Sequence, residues 1–289
     1  MTNTQQTAVT VLGLGDMGQA LVRAFLQGGV STTVWNRTPG KDSELVAAGA
    51  VSAATPGAAV AAGGLVIAVL FDHASVHETL DPIAADLAGR QLINLTSTAP
   101  EQSRELARWA SEHGIELLDG GIMAIPPMIG GPGSSILYSG SQPVFDAHRE
   151  TLELLGTAEY FGADAGKAAL WDFSLLASMY LMFGGFFQGA ALAGSAGITA
   201  SEFAARAVPW VTAMAQGLPA YAAAIDSGDY SAQVQHLAFQ KAGLDAIVQS
   251  GRDAKIGVDL IAAFAGLVDR QVAAGHGQAA FARVIEEFR

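Results

Sequence analysis

The 289-residue sequence contains no cysteine, which excludes disulfide frameworks, thiolate metal sites and thiol nucleophiles together. Charge is also scarce. Only 15% of residues are charged, against 51% hydrophobic ones, a balance that rules out wholesale disorder and supplies ample material for a buried core. Basic residues are the rarer sign: 15 Lys and Arg stand against 27 Asp and Glu, a formal charge of −12. Such a surface repels phosphate backbones and anionic lipid, so neither nucleic acid nor a membrane surface is expected as a partner. The lack of cysteine suits a reducing compartment, and a cytoplasmic location is expected. Met1 to Thr7 shows no basic segment leading into an apolar one, so no secretory signal is expected. The six histidines are scattered. Only His73 and His77 share an i, i+4 spacing, without a glutamate between them, and no metal centre is expected.

What is present falls into two halves. Up to about residue 160, short β-rich runs (Ala8–Leu12, Thr32–Trp35, Leu65–Leu70, Gln91–Leu95, Glu116–Leu118, Ser135–Tyr138) alternate with stretches of helical length such as Gly18–Leu26 and Gln102–His113. That alternation points to βαβ units and a mainly parallel sheet. From Lys167 onward helix formers dominate, giving candidate helices Lys167–Ala193, Ala200–Ala224, Ser231–Gln249, Gly257–Ala274 and Gln278–Phe288. Thr199 and Glu202 have the spacing of a capping box. The expected division is residues 1–164, a long helix over 165–194, and a helical region over 195–289.

The run Phe173 to Ala193 approaches the length of a membrane span. It is interrupted by Ser174, Ser178, Tyr180 and Gln188, has Asp172 at its entrance and lacks a basic flank, so a helix covered by protein is expected instead. At 1.5 Å per residue, Lys167–Ala193 would be about 40 Å long. About 120 C-terminal residues are a thin supply of cover for an almost uniformly apolar helix, and a symmetric dimer pairing two such helices would solve the problem.

Val9-Thr10-Val11-Leu12-Gly13-Leu14-Gly15-Asp16-Met17-Gly18 reads as a strand, a GxGxxG turn and the start of a helix. Gly13 permits the tight turn, Gly15 lets the backbone approach a pyrophosphate, and Gly18 lets the helix lie close to the strand. Dinucleotide sites that prefer NAD end the second strand on an acid for the ribose hydroxyls. Here that strand runs into Asn36-Arg37-Thr38, with Lys41 beyond. The neutral amide, the hydroxyl and the two cations point to NADP(H), because a 2′-phosphate needs positive charge.

Three further strand ends carry polar or loop-forming residues: Leu70-Phe71-Asp72-His73, Asn94-Leu95-Thr96-Ser97-Thr98, and Asp119-Gly120-Gly121-Ile122-Met123-Ala124-Ile125-Pro126-Pro127. Leu70 and Asn94 are expected beside the cofactor, and Met123 in a substrate wall. Asp172, between Trp171 and Phe173, is an acid in apolar surroundings and should have a raised pKa or a cationic partner. Alternatively it is a first-turn acid favoured by the helix dipole. Tyr180 lies eight residues on, about 80° around the helix and about 12 Å along it.

Taken together, Gly-Leu-Gly-Asp-Met-Gly, Val-Trp-Asn-Arg-Thr, Ile-Asn-Leu-Thr, Asp-Gly-Gly-Ile-Met-Ala, Leu-Tyr-Ser-Gly-Ser and Leu-Trp-Asp…Met-Tyr resemble the NADPH-dependent imine reductases, and within them the reductive-aminase branch. The likeness runs nearly end to end, through Pro209-Trp210, Gln240 and Ala273-Ala274-Gly275-His276-Gly277. The parent β-hydroxyacid dehydrogenases place a catalytic lysine early in the long helix, where this chain has Leu170; Lys167 is at the wrong spacing. The resemblance implies an α/β fold: a Rossmann domain, an interdomain helix and a helical domain exchanged between the subunits of a homodimer. It implies NADPH as cofactor and an imine, or a ketone or aldehyde plus an amine, as substrate. By position it assigns Asp172, Tyr180 and Asn94 to catalysis. Asp172 would stabilise an iminium, Tyr180 would orient it and aid proton delivery, and Asn94 would hold a carbonyl or carbinolamine oxygen. Trp171, Met179, Trp210, Met214, Phe239 and Gln240 would line the pocket with Met123. Two other readings stay open: an alcohol dehydrogenase using Lys167 as base, and a non-catalytic NADP(H)-binding protein.

Overall fold

The computed structural model describes residues 8–231 and 235–289; the expectation on Met1 to Thr7, and part of the expected helix Ser231–Gln249, lie outside the described residues. In chain order the elements are β1 (Val9–Leu12), α1 (Asp16–Gln27), β2 (Thr32–Trp35), α2 (Ser43–Ala47), β3 (Val51–Ser52), α3 (Pro56–Ala61) and β4 (Leu65–Ala68). Then come α4 (His73–Leu80), α5 (Ala84–Leu87), β5 (Gln91–Asn94), α6 (Pro100–Glu112), β6 (Glu116–Met123), β7 (Ser135–Gly140), α7 (Gln142–Leu152) and β8 (Thr157–Tyr160). The remainder is helical: α8 (Gly166–Ser195), α9 (Ala200–Ala215), α10 (Leu218–Ser227), α11 (Leu237–Asp253) and α12 (Asp259–Gln271). Two compact units divide inside α8, between Leu176 and Ala177.

In the N-terminal unit the strands form one sheet in the order β3-β2-β1-β4-β5-β6-β7-β8. Every neighbouring pair is parallel except β6–β7. The sequence outruns its strict alternation here because both faces are buried. Val9, Val11, Leu65, Ile67 and Ile93 pack with Leu21 and Phe25 of α1 and Val144 and Leu152 of α7. Leu12, Val66, Ala68 and Leu92 pack on the other face with Val60 of α3, Val76 and Leu80 of α4, and Leu106 of α6. The reversal of crossover direction beside β1 is the doubly wound Rossmann arrangement, and it opens a crevice at the carboxyl ends of the strands.

The start of α8 is fixed to this sheet. Ser139 Oγ donates to Ala165 O at 2.8 Å and accepts from Ala168 N at 2.9 Å. Arg104 donates through Nε and Nη2 to the two oxygens of Asp164, both at 2.9 Å. With 30 residues, α8 is about 45 Å long. Among the described residues it is the one helix long and apolar enough to cross a membrane, and the single chain buries none of its most apolar window. Its buried residues are confined to Gly166, Ala168, Ala169 and Asp172.

Some element expectations shift. Two edge-side strands, β3 and β8, have no counterpart in the apolar runs. The expected helix Ala200–Ala224 is two helices, because Gly217 caps the second and Pro219, lacking an N–H, stands in its first turn where no donor is needed. The last expected helix is a 3-10 segment, Phe281–Phe288. In the C-terminal unit, Leu237, Val268 and Val284 form a small core with Phe264 and Phe281 packed on it.

Candidate active site

The glycine turn between β1 and α1 has the geometry its spacing requires. Gly13 has φ +108°, and a β-carbon there would lie 2.2 Å from the carbonyl oxygen of Val69. A β-carbon on Gly18 would lie 2.1 Å from Gly13 O, so only glycine lets α1 come this close to the turn. At Gly15 a β-carbon would meet nothing within 4 Å; it would instead occupy open space in front of the α1 N-terminus, where a pyrophosphate is favoured. A cavity of about 330 Å³ lies there, lined by Gly13, Leu14, Gly15, Asp16, Met17, Gly18, Asn36, Arg37, Thr38 and Leu70. Trp35, Val69, Phe71, Ser75 and Thr79 complete its wall; Phe71 belongs to the loop expected beside the cofactor, and the other four were not assigned by sequence reasoning. The donor set and the open approach at Gly15 fit a dinucleotide.

Two expected cofactor residues stand elsewhere. Lys41 is exposed on the turn before α2 and is not part of the cavity wall. Asn94 is completely buried. Asn36 has a different task from the ribose-binding acid it replaces: its Oδ1 accepts from Leu14 N at 2.8 Å and its Nδ2 donates to Thr38 O at 2.9 Å. The amide therefore ties the glycine turn to the end of β2. Arg37 is exposed and pairs with Glu78 of α4 at 3.0 Å, so its guanidinium is available to exchange that carboxylate for a phosphate. Leu70 N donates to Thr96 Oγ1 at 2.9 Å, linking the loops after β4 and β5.

Beneath these loops lies a buried cluster of carboxyl groups. Asp172 is the seventh residue of α8, beyond the first turn, so the helix dipole does not explain it. Only 3% of it is exposed, and its Oδ1 is buried without a hydrogen-bond partner. Burial pushes its pKa up to about 6. On β6, Asp119 is 1% exposed. Burial raises its pKa to about 7, against the opposing hydrogen bonds of Asn94 and Ser103, and the charge of Asp172 adds to the rise. Asn94 Nδ2 donates to Asp119 Oδ1 at 2.8 Å, while Asn94 Oδ1 accepts from Thr96 N at 3.2 Å. The structure thus commits Asn94 to a neighbouring acid and the chain itself, and does not present it to a substrate oxygen as expected. Asp119 lies in mid-β6; sequence reasoning placed it in a segment that could wall a substrate site but did not assign it to a carboxyl cluster.

Lys167 sits in the first turn of α8, exposed, and five residues place it about 140° around the helix from Asp172. It does not share the face that Asp172 turns to β6, which removes the structural basis for an alcohol dehydrogenase built on Lys167. Trp171 packs against Phe161, ring centroids 5.6 Å apart, and Met123 is half-buried at the end of β6. The other expected pocket residues belong to the C-terminal unit. Tyr180 and Met179 lie on α8, Trp210 and Met214 on α9, Phe239 and Gln240 on α11. Tyr180, Trp210, Met214 and Phe239 are exposed in the single chain. Gln240 Nε2 donates to Gln235 Oε1 at 3.1 Å. The folded chain also brings Glu105 of α6 to His73 and His77, a carboxylate that their spacing in the sequence did not supply.

Residues 8–163 match the family of the NAD binding domain of 6-phosphogluconate dehydrogenase, and residues 164–289 match the C-terminal domain of the NADPH-dependent reductive aminase-like family. An NADPH-dependent reductive aminase from Aspergillus oryzae is 38% identical over 285 residues, 97% of each chain. A reductive aminase from Aspergillus terreus, solved with NADPH and ethyl levulinate, superposes with a TM-score of 0.95 at 40% identity, covering 99% of this chain and 100% of that one. An imine reductase from Streptomyces aurantiacus superposes with a TM-score of 0.93 at 36% identity, covering 98% and 100%. With the dinucleotide cavity, the long helix and its buried acid in place, this chain belongs to the family of NADPH-dependent imine reductases and reductive aminases.

Proposed function

We propose that this protein reduces C=N bonds to amines with NADPH, including imines formed from small ketones or aldehydes and an amine. The observation that carries this reading is Asp172. A carboxylate with a buried, unpartnered oxygen is costly unless a cation or a proton completes it. A protonated imine is such a cation, and its N–H is the donor that Asp172 Oδ1 lacks. NADPH, when bound in the cavity at Gly15, supplies the hydride.

The remaining residues bind, orient and exclude water. Asp172 holds the iminium nitrogen, and its negative charge favours the protonated form, the form electrophilic enough to be reduced. Asn94 and Asp119 act behind it: the hydrogen bond between them fixes Asp119, and the charge of Asp172 helps to keep Asp119 protonated. Tyr180 orients the substrate and assists proton delivery. Trp171, Met179, Trp210, Met214, Phe239 and Met123 form an apolar lining that keeps water from hydrolysing the iminium, with Gln240 as its polar member.

The protein acts as a homodimer in which the helical region of each chain is exchanged with its partner. Support comes from the apolar side chains that a single chain leaves uncovered on α8, among them Leu181 and Phe187 at 61% and 66% exposure. Two such helices packed together would bury both, and each site would combine the cofactor domain of one chain with helices of the other.

The test is NADPH consumption with a cyclic imine, and with cyclohexanone plus allylamine, by the wild type, Asp172→Ala and Tyr180→Phe. Loss of one preorganised charge partner is expected to lower kcat about 10²–10³-fold in Asp172→Ala. Unchanged turnover in that variant removes Asp172 from the mechanism.

A further inference from the structure

On the N-terminal unit, apart from the carboxyl cluster, α4, the residue that follows it and α6 bring two imidazoles and two carboxylates together. His73 Nε2 lies 3.1 Å from Glu105 Oε2, and His77 Nε2 lies 3.1 Å from the same oxygen. The three ligand-type atoms all fall within 4.8 Å of one another. On its other side, His77 Nδ1 lies 2.9 Å from Asp81 Oδ1. The imidazole rings meet edge to face with centroids 4.8 Å apart, and Trp109 of α6 stands edge-on to His77 at 5.8 Å. His73 Nδ1 is buried and has no partner.

His77 is bonded on both sides, Nδ1 to Asp81 Oδ1 and Nε2 to Glu105 Oε2. With Nδ1–H donating to Asp81, a cation in place of the Nε2 proton would bind Nε2 and Glu105 Oε2 together, and the same ion would take the Nε2 lone pair of His73. Four-coordinate zinc has metal–nitrogen bonds of about 2.0–2.1 Å, which sets neighbouring donor atoms about 3.4 Å apart. Both observed nitrogen–oxygen separations need widen by only a few tenths of an ångström.

We propose that His73, His77 and Glu105 form a binding site for one divalent transition-metal ion of the zinc class, separate from the site of reduction. Two nitrogens and one oxygen are a borderline-soft donor set that suits zinc, nickel or copper, whereas magnesium and calcium take oxygen ligands. Three protein ligands leave a fourth position to water. Asp81 is the outer carboxylate that fixes the tautomer of a metal-bound histidine. The ion would tie α4 to α6. Ser75 and Thr79 of α4 line the dinucleotide cavity, so metal binding would anchor one wall of that cavity without touching the reacting atoms.

The experiment is calorimetric titration of ZnCl2 into untagged, EDTA-treated protein, with MgCl2 as the comparison. One zinc per chain with micromolar or tighter affinity and no magnesium response are expected, together with a higher Tm in zinc. His77→Ala and Glu105→Gln are expected to abolish the calorimetric signal, and Asp81→Asn to weaken zinc about 10–100-fold through the outer contact. Failure of the wild type to bind zinc, or equal binding by His77→Ala and Glu105→Gln, overturns the proposal. CoCl2 added to the wild type guards against variants that do not fold. The strong visible bands of a four-coordinate cobalt site are expected, and a spectrum identical to free cobalt overturns the site. None of these readouts depends on imine reduction, so the site stands or falls apart from that activity.

Discussion

Gly121 and Asp172 occupy one space: a β-carbon added to Gly121 would lie 2.7 Å from Cβ of Asp172 and 3.0 Å from its Oδ2. The glycine on β6 is what lets α8 lay its acid against the sheet. Gly121→Ala should therefore displace the helix rather than a flexible side-chain tip. Overpacking of this kind costs about 1–3 kcal/mol, measurable as a lower Tm. Activity should fall further than stability explains, because Asp172 itself moves. A Gly121→Ala enzyme with wild-type kcat would show that the position of Asp172 is not critical.

The raised pKa values of Asp119 and Asp172 make stability depend on pH in a defined direction. Both acids hold their protons more tightly in the folded chain, at about 7 and about 6 against the ordinary aspartate value of 3.8. Between these limits the unfolded chain has released protons that the folded chain retains, so stability falls as pH rises. Their contribution is complete below about pH 4 and lost once pH passes about 7. Thermal melts across that range should show Tm contributions declining with pH, and Asp119→Asn should flatten the slope. An unchanged slope in the variant would assign the titration to other groups.

Cofactor choice should rest on Arg37 and Asn36. Arg37→Ala is expected to raise KM for NADPH about tenfold while leaving KM for NADH nearly unchanged, since only the 2′-phosphate uses the guanidinium. Asn36→Asp keeps an acceptor for Leu14 N but sets a carboxylate where the phosphate would sit, and should shift preference toward NADH. Steady-state kinetics with both cofactors checks the pair. Equal losses for NADPH and NADH in Arg37→Ala would show that the side chain serves the fold instead.

Association through α8 is open to a direct test. Leu181→Glu combined with Phe187→Glu puts charge on the exposed apolar stretch of that helix. Light scattering should report a dimer for the wild type and a monomer for the double variant, and turnover should be lost with the proposed two-chain site. A double variant that stays dimeric and active would place the interface elsewhere.

The strands that were legible share a property. β1, β2 and β4 are unbroken apolar or β-branched runs, which a sheet covered on both faces demands. β3 was not legible because two exposed residues, Val51 and Ser52, carry no pattern. β8 was not because Thr157-Ala158-Glu159-Tyr160 buries only alternate positions at the sheet edge. Pro209 lies inside α9 without ending it, whereas Gly217 and Pro219 do separate two helices. The same residue type has opposite effects, and only the surrounding chain distinguishes them.

The sequence alone determined the dinucleotide turn, the absence of an acid after β2, the long apolar helix and the acid near its start. Each is a contiguous motif whose chemistry depends on neighbours a few residues away. Tertiary structure decided what those residues do: Asn94 reaches across 25 positions to Asp119, Gly121 makes room for Asp172, and Glu105 closes on two histidines of another helix. Such pairings are set by how helices pack on a twisted sheet, which no local spacing encodes.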